Sequence, residues 1–174
     1  MIKNKPSPII LFFIKVVGVY AVWYFIYDVI LLSDGRLDNW LSLISVKISS
    51  NVLTAFGWQI ETTRNIIQCV GTNGVQIQNG CNGLQLYGLF SGFIIAYPGE
   101  FVKRLWFLIG GISLLLIANI VRISYFVLAN KYFPESWNIV HDTSSLIFFY
   151  PIVLTLWYLW TIQNKQANIF SGEE

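Results

Sequence analysis

The chain has 174 residues, of which 55% are apolar, 17% aromatic and only 11% charged, with a net charge of +2. Soluble domains carry about 25% charged residues, so this chain has too few to cover a water-exposed surface. The composition excludes a disordered segment, a disulfide scaffold and a nucleic-acid partner bound through a basic face, and it points to the bilayer.

Four stretches are apolar enough to predict spans, 9–32, 82–97, 105–130 and 143–163, against a requirement of about 20 residues. Of the charged residues they contain only Lys15, Asp28 and Arg122. Lys15 and Asp28 lie toward the ends of the first span, where side chains can reach the interface. Lys3 and Lys5 precede that span as in a signal peptide. The apolar run is longer than the ~7–15 residues of an h-region, however, and no small-x-small cleavage site follows. A retained membrane helix is expected.

Over 37–58, Leu37, Trp40, Leu41, Ile44, Ile48, Val52, Ala55 and Phe56 recur at helical spacing. Asp38, Asn39, Ser42, Ser45, Lys47, Ser49 and Asn51 fill the other side. This predicts an amphipathic helix lying in the interface rather than a further span. Ile66, Ile67, Val70, Val75 and Ile77 then surround Asn73-Gly74, a pair suited to two φ > 0 turn positions, and predict a β-hairpin over 64–79. It leads into Gly80-Cys81-Asn82-Gly83. Pro98-Gly99 ends the second span, Lys103-Arg104 anchors the third, and Pro151 falls within the fourth.

The expected fold class is an all-α polytopic membrane protein, a single membrane domain over 1–174 with four spans, the interfacial helix and a small extracytoplasmic hairpin. Lys and Arg density orients it. With a cytosolic N-terminus, the inner segments 1–8, 98–104 and 164–174 hold five Lys/Arg in 26 residues, and the outer segments 33–81 and 131–142 hold four in 61.

On this topology Cys81 lies at the outer end of the second span, Arg122 in the outer third of the third, and His141, the sole histidine, just before the fourth. All three share one depth on one side. A Cys at a helix start gains thiolate character from the macrodipole. An intramembrane Arg is a functional candidate, and its planar fork of donors suits an oxyanion. Histidine exchanges protons near neutral pH, which suits His141 to deprotonating a thiol and protonating a leaving amine. Asn119, three residues before Arg122, shares its helix face. Together these residues suggest acyl transfer by a Cys–His pair.

Plainer readings stand beside each of these. A free Cys is often buried structure, Arg122 can snorkel, and His141 beside Asp142 can belong to a helix cap formed by Asp142 or Thr143. Cys69 and Cys81 can pair as a disulfide, which would remove the nucleophile. Ser144 and Ser145 beside His141 and Asp142 also hint at a serine triad. No Cys or His cluster has metal spacing and no Gly-rich phosphate loop is present, so neither metal nor cofactor is expected.

Cys81-Asn82-Gly83-Leu84-Gln85 resembles the Cys-Ser-Gly-Leu signature of the exosortase/archaeosortase family. Asn119-Ile120-Val121-Arg122-Ile123 resembles its Asn-x-x-Arg-Ile block, and His141-Asp142 its His-acidic block, so the likeness covers roughly 60–163. Asn82 stands where Ser is common and Asp142 where Glu is common, and the chain has fewer spans than many members. The resemblance implies a membrane-embedded cysteine transpeptidase or protease of the bacterial cytoplasmic (inner) membrane, its site facing outward. Cys81 would be the nucleophile, Arg122 the stabiliser of the intermediate and His141 the acid/base, supported by Asn82, Asn119 and Asp142. Its partners would be membrane lipid and exported proteins bearing a C-terminal motif, a hydrophobic helix and a basic end. A partner subunit or a homodimer could supply the missing helices. Two alternatives stay open: hydrolysis of the thioester by water, and a non-catalytic scaffold subunit of a surface-export system.

Overall fold

Long apolar runs with few charges become long helices. The computed structural model describes residues 8–164. Helix α1 (Pro8–Tyr24) widens into a π-helical stretch (Phe25–Leu31) and ends in the short turn α2 (Leu32–Asp34). Next come α3 (Arg36–Ala55), strands β1 (Ile60–Thr63), β2 (Ile66–Cys69) and β3 (Val75–Gln76), and α4 (Leu84–Ala96). The chain closes with α5 (Phe101–Tyr132), a 3-10 turn (Pro134–Ser136), α6 (Trp137–Phe148) and α7 (Tyr150–Gln163).

Among the described residues, three helical stretches are long and apolar enough to cross a membrane: Ile10–Asp34, Phe101–Tyr132 and Pro134–Gln163. The expected second span, 82–97, is helical only over the 13 residues of α4. Thirteen residues reach about 20 Å, short of the roughly 30 Å hydrocarbon core. Extended backbone at Tyr97 and Glu100 completes the return to α5. The last stretch starts well before 143, and Pro151 falls in the first turn of α7, where no helical N–H is lost.

Helix α5 has 32 residues, about 48 Å, so it outruns the core by a third of its length. Its N-terminal part packs in an aromatic core with Tyr27, Tyr87, Phe90, Phe149 and Trp160. Its C-terminal part packs with the sheet, in a second core of Ile67, Cys69, Val75, Ile77, Ile123, Phe126 and Val127.

The sheet differs from the expected hairpin. It has three antiparallel strands in the order β1-β2-β3. The tight turn is Arg64-Asn65, since Thr63 pairs with Ile66 and Arg64 takes φ 54°. Asn73-Gly74 instead sits in the looser β2–β3 connection, and neither residue has positive φ. What Gly74 provides is clearance, because a Cβ there would overlap the Ile66 side chain.

The stretch expected to lie in the interface is helical as α3, but part of its polar side packs inward against protein. An interfacial helix shows its polar side to water. Here Asp38, Ser42, Ser45 and Ser49 are buried, while Leu37, Trp40, Leu43, Val52 and Phe56 are exposed. The stripe packs along α5, and the Ser49 hydroxyl donates to the Ile120 carbonyl at 3.3 Å. Small hydroxyl side chains allow two helices this approach, and α5 offers polar groups in return.

Helices α1 and α4 meet at Gly88 and Gly92, a Gly-x-x-x-Gly spacing that lets side chains of one helix sit on the backbone of the other. The Trp23 indole occupies the space a Gly88 Cβ would need. Gly88→Val should therefore destabilise the protein by about 1–3 kcal/mol through overpacking, read as a lower melting temperature in detergent.

Candidate active site

The site begins with a buried carboxylate. Asp38, on the inward stripe of α3, is fully buried. Its Oδ1 accepts from the Tyr27 hydroxyl at 3.3 Å, the Gly80 amide at 3.2 Å and Asn82 Nδ2 at 2.8 Å. Tyr27 is the single buried residue of the π-helical stretch, where widened turns redirect side chains. Asn82 is also fully buried, and its Nδ2 donates to the Asp38 carbonyl at 2.9 Å. Asn82 Oδ1 accepts from the Leu84 amide at 3.0 Å and so caps the start of α4.

Cys81 sits between Gly80 (φ 85°) and Gly83 (φ 89°), left-handed positions that bend the loop twice. Asp38 holds the residues on either side of it. Asn119 holds the same loop from α5, donating to the Asn82 carbonyl at 2.9 Å and to Ser45 Oγ at 3.4 Å. Cys81 is thus a half-buried free thiol two residues before the N-cap Gly83. Cys69 is also free, buried in β2 under the sheet core, so no disulfide joins the two.

Arg122 reaches the loop directly. Its Nη2 donates to the Cys81 carbonyl and its Nη1 to Ser145 Oγ at 3.4 Å. The guanidinium lies between the Phe149 and Phe126 rings, 4.7 and 5.3 Å from their centroids. It does not snorkel away; it is buried. Its position is roughly 32 Å along α5 from Phe101, at the far edge of a bilayer core. Among the described residues its Nε has no hydrogen-bond partner. Arg122 also lines a cavity of about 160 Å³ with Gly80, Gly83, Gln85, Leu86, Ser145 and Tyr150.

His141 lies on α6 rather than ahead of it. Its ring stacks on Phe126, with centroids 5.9 Å apart, and so shares that ring with Arg122. Nδ1 approaches Asp142 Oδ1 at 3.3 Å, but side-chain exposures of 48% and 79% make this pair weak. Among the described residues no hydrogen bond joins His141 to Cys81. Ser144 donates to the His141 carbonyl at 2.7 Å and Ser145 Oγ accepts from Arg122, and among the described residues no side-chain hydrogen bond joins either serine to the His141 ring.

Cys81, Asn82, Asn119 and Arg122 therefore form one connected cluster, with His141 and Asp142 at its α6 edge. The family model for transmembrane exosortases (Exosortase_EpsH) matches residues 9–158. The chain belongs to that family. No curated protein and no solved structure gives a significant match. Family membership and three long apolar helices make this chain a membrane protein.

Asp38, Ser45 and Tyr27 were not singled out as site residues from the sequence, and Ser145 only as part of a serine triad. The available signal was spacing: 38, 42, 45 and 49 form a single helical stripe of short polar side chains. In a bilayer such a stripe faces protein. Removing the amide in Asn82→Ala strips hydrogen bonds from Asp38 and uncaps α4, for about 2–3 kcal/mol. Chemical unfolding should show that loss, and Cys81 should react faster with a maleimide while buried Cys69 stays protected.

Proposed function

We propose that this exosortase is a membrane-embedded cysteine transpeptidase that cleaves the C-terminal sorting signal of exported proteins through a thioester at Cys81. The observation that carries this reading is the Cys81–Arg122 unit within the family match: a half-buried thiol on a braced loop, beside a buried guanidinium at a small cavity. A buried Arg with uncommitted donors is costly unless charge develops beside it.

In the proposed reaction Cys81 Sγ attacks the scissile carbonyl carbon as its proton passes to His141. The carbonyl oxygen becomes an oxyanion facing Arg122. Collapse expels the amine, which takes the proton from His141, and leaves an acyl thioester. An acceptor amine, or water in the hydrolytic variant, then attacks the thioester and returns the thiol. Since His141 rests across the Phe126 ring, its proton transfer runs through bound substrate or a water. Asn82 and Asn119 act as positioning residues for the loop, and Asp142 orients the imidazole. The substrate's hydrophobic helix lies in the membrane beside the protein, with the site on the extracytoplasmic side of the inner membrane. A partner subunit or second copy would extend its grip.

Co-expression with a reporter ending in a short motif, one hydrophobic helix and basic residues tests this. Cys81→Ala should abolish processing, by more than about 10³-fold, while the protein still accumulates and melts normally. Normal processing in that variant would leave a scaffold role. Arg122→Lys should stay impaired by about 10²-fold or more, because an ammonium cannot span the Cys81 carbonyl and Ser145 while presenting a planar fork. Near-wild-type turnover of Arg122→Lys would remove the oriented oxyanion role.

A further inference from the structure

A second cavity lies at the end of the helices away from Cys81. It measures about 590 Å³ and is bounded by α1, α4 and the start of α5. Gly18, Val19, Ile95 and Ala96 give it apolar or small walls, and Lys15 and Arg104 stand on it as cations. Arg104 precedes Arg122 on α5 by roughly 27 Å, so this cavity belongs to the opposite membrane face.

Neither cation is balanced by a carboxylate among the described residues. Lys15 makes no ion pair there. Arg104 Nη2 donates to the carbonyls of Tyr97 at 3.2 Å and Gly99 at 3.1 Å, and its Nε is buried without a partner. Glu100, the carboxylate just before α5, is held by Lys103 at 2.7 Å. Two cations at a bilayer edge without counter-charge attract an anion.

The apolar walls continue beyond the cations. Val19 and Ile95 also line a trough of about 320 Å³ that follows the α1–α4 seam past Gly92 and Trp23 to Tyr87. A free phosphate would need only the charged end. A charged end that opens into an apolar trough fits a molecule with both parts. We propose that the cavity and seam hold one anionic phospholipid, its phosphate between Lys15 and Arg104 and an acyl chain along the seam. This lipid would fill the space beside the Gly88–Gly92 crossing, where α1 meets the rest of the protein.

Native mass spectrometry of the full chain in mild detergent, with dioleoyl phosphatidylglycerol added, tests this. One lipid should stay bound, with dioleoyl phosphatidylcholine retained about fivefold less or weaker still, the effect of one matched charge near the headgroup. Lys15→Gln should weaken phosphatidylglycerol binding by about fivefold. Gly18→Leu adds a side chain where nothing lies within 4 Å of the glycine Cβ; it should block the lipid without lowering the melting temperature. Equal retention of the two lipids, or unchanged binding in both variants, overturns the proposal. Inorganic phosphate is the third arm. Displacement of the lipid by millimolar phosphate would identify an ion site and overturn the lipid assignment, and failure to displace it supports the lipid.

Discussion

The hydrogen bond from Asn82 Nδ2 to the Asp38 carboxylate, at 2.8 Å, is the contact on which the rest of the molecule depends. A carboxylate placed among helices at membrane depth is tolerated only when donors surround it. Asp38 collects one from the π-helical stretch, one from the loop backbone and one from the Asn82 amide. Those donors come from segments far apart in the chain, so satisfying one buried group fixes where α1 ends, where α4 starts and how the loop between them is bent. Arg122 and Asn119 then close the arrangement from α5 by taking the carbonyls of Cys81 and Asn82. The loop is gripped through its backbone on both sides, which leaves the Cys81 side chain uninvolved in holding it.

The membrane class was legible because charge is so scarce in this chain. Against 11% charged residues, one Arg inside an apolar run stands out. Less legible was direction. The periodicity of 37–58 announced a two-sided helix, but period alone does not say which side meets water. The answer depended on Asn82, Asn119 and the carbonyl of Ile120, which lie far away in sequence and supply polar partners for the stripe. The turn was misplaced for a related reason. Asn-Gly satisfies the local preference for a hairpin, yet register follows the buried alternation of Ile67, Cys69, Val75 and Ile77, and that alternation puts the tight corner at Arg64.

The site itself divides in the same way. Asn82 and Asn119, which hold the loop, could be named from sequence, while Asp38 and Ser45 behind them could not, because Ser and Asp on a helix read as surface. The burial of Arg122 between Phe126 and Phe149 also explains how a guanidinium remains at this depth: its flat faces meet rings, and its edge meets hydrogen-bond acceptors. Under the proposed function, packing thereby sets the direction of the fork before any substrate arrives. Preorganisation of this kind is what electrostatic catalysis needs.

The shortness of α4 has a consequence for the surrounding bilayer. The 13-residue apolar helix α4 falls about 10 Å short of the hydrocarbon core that α5 spans in full. Hydrophobic mismatch of this size draws the headgroups inward. Where lipid reaches α4, such mismatch would thin the bilayer locally and bring water closer to the loop. Under the proposed function, a peptide bond just beyond a membrane helix would then meet the loop without the helix being lifted out, and the working depth would be a property of protein and lipid together.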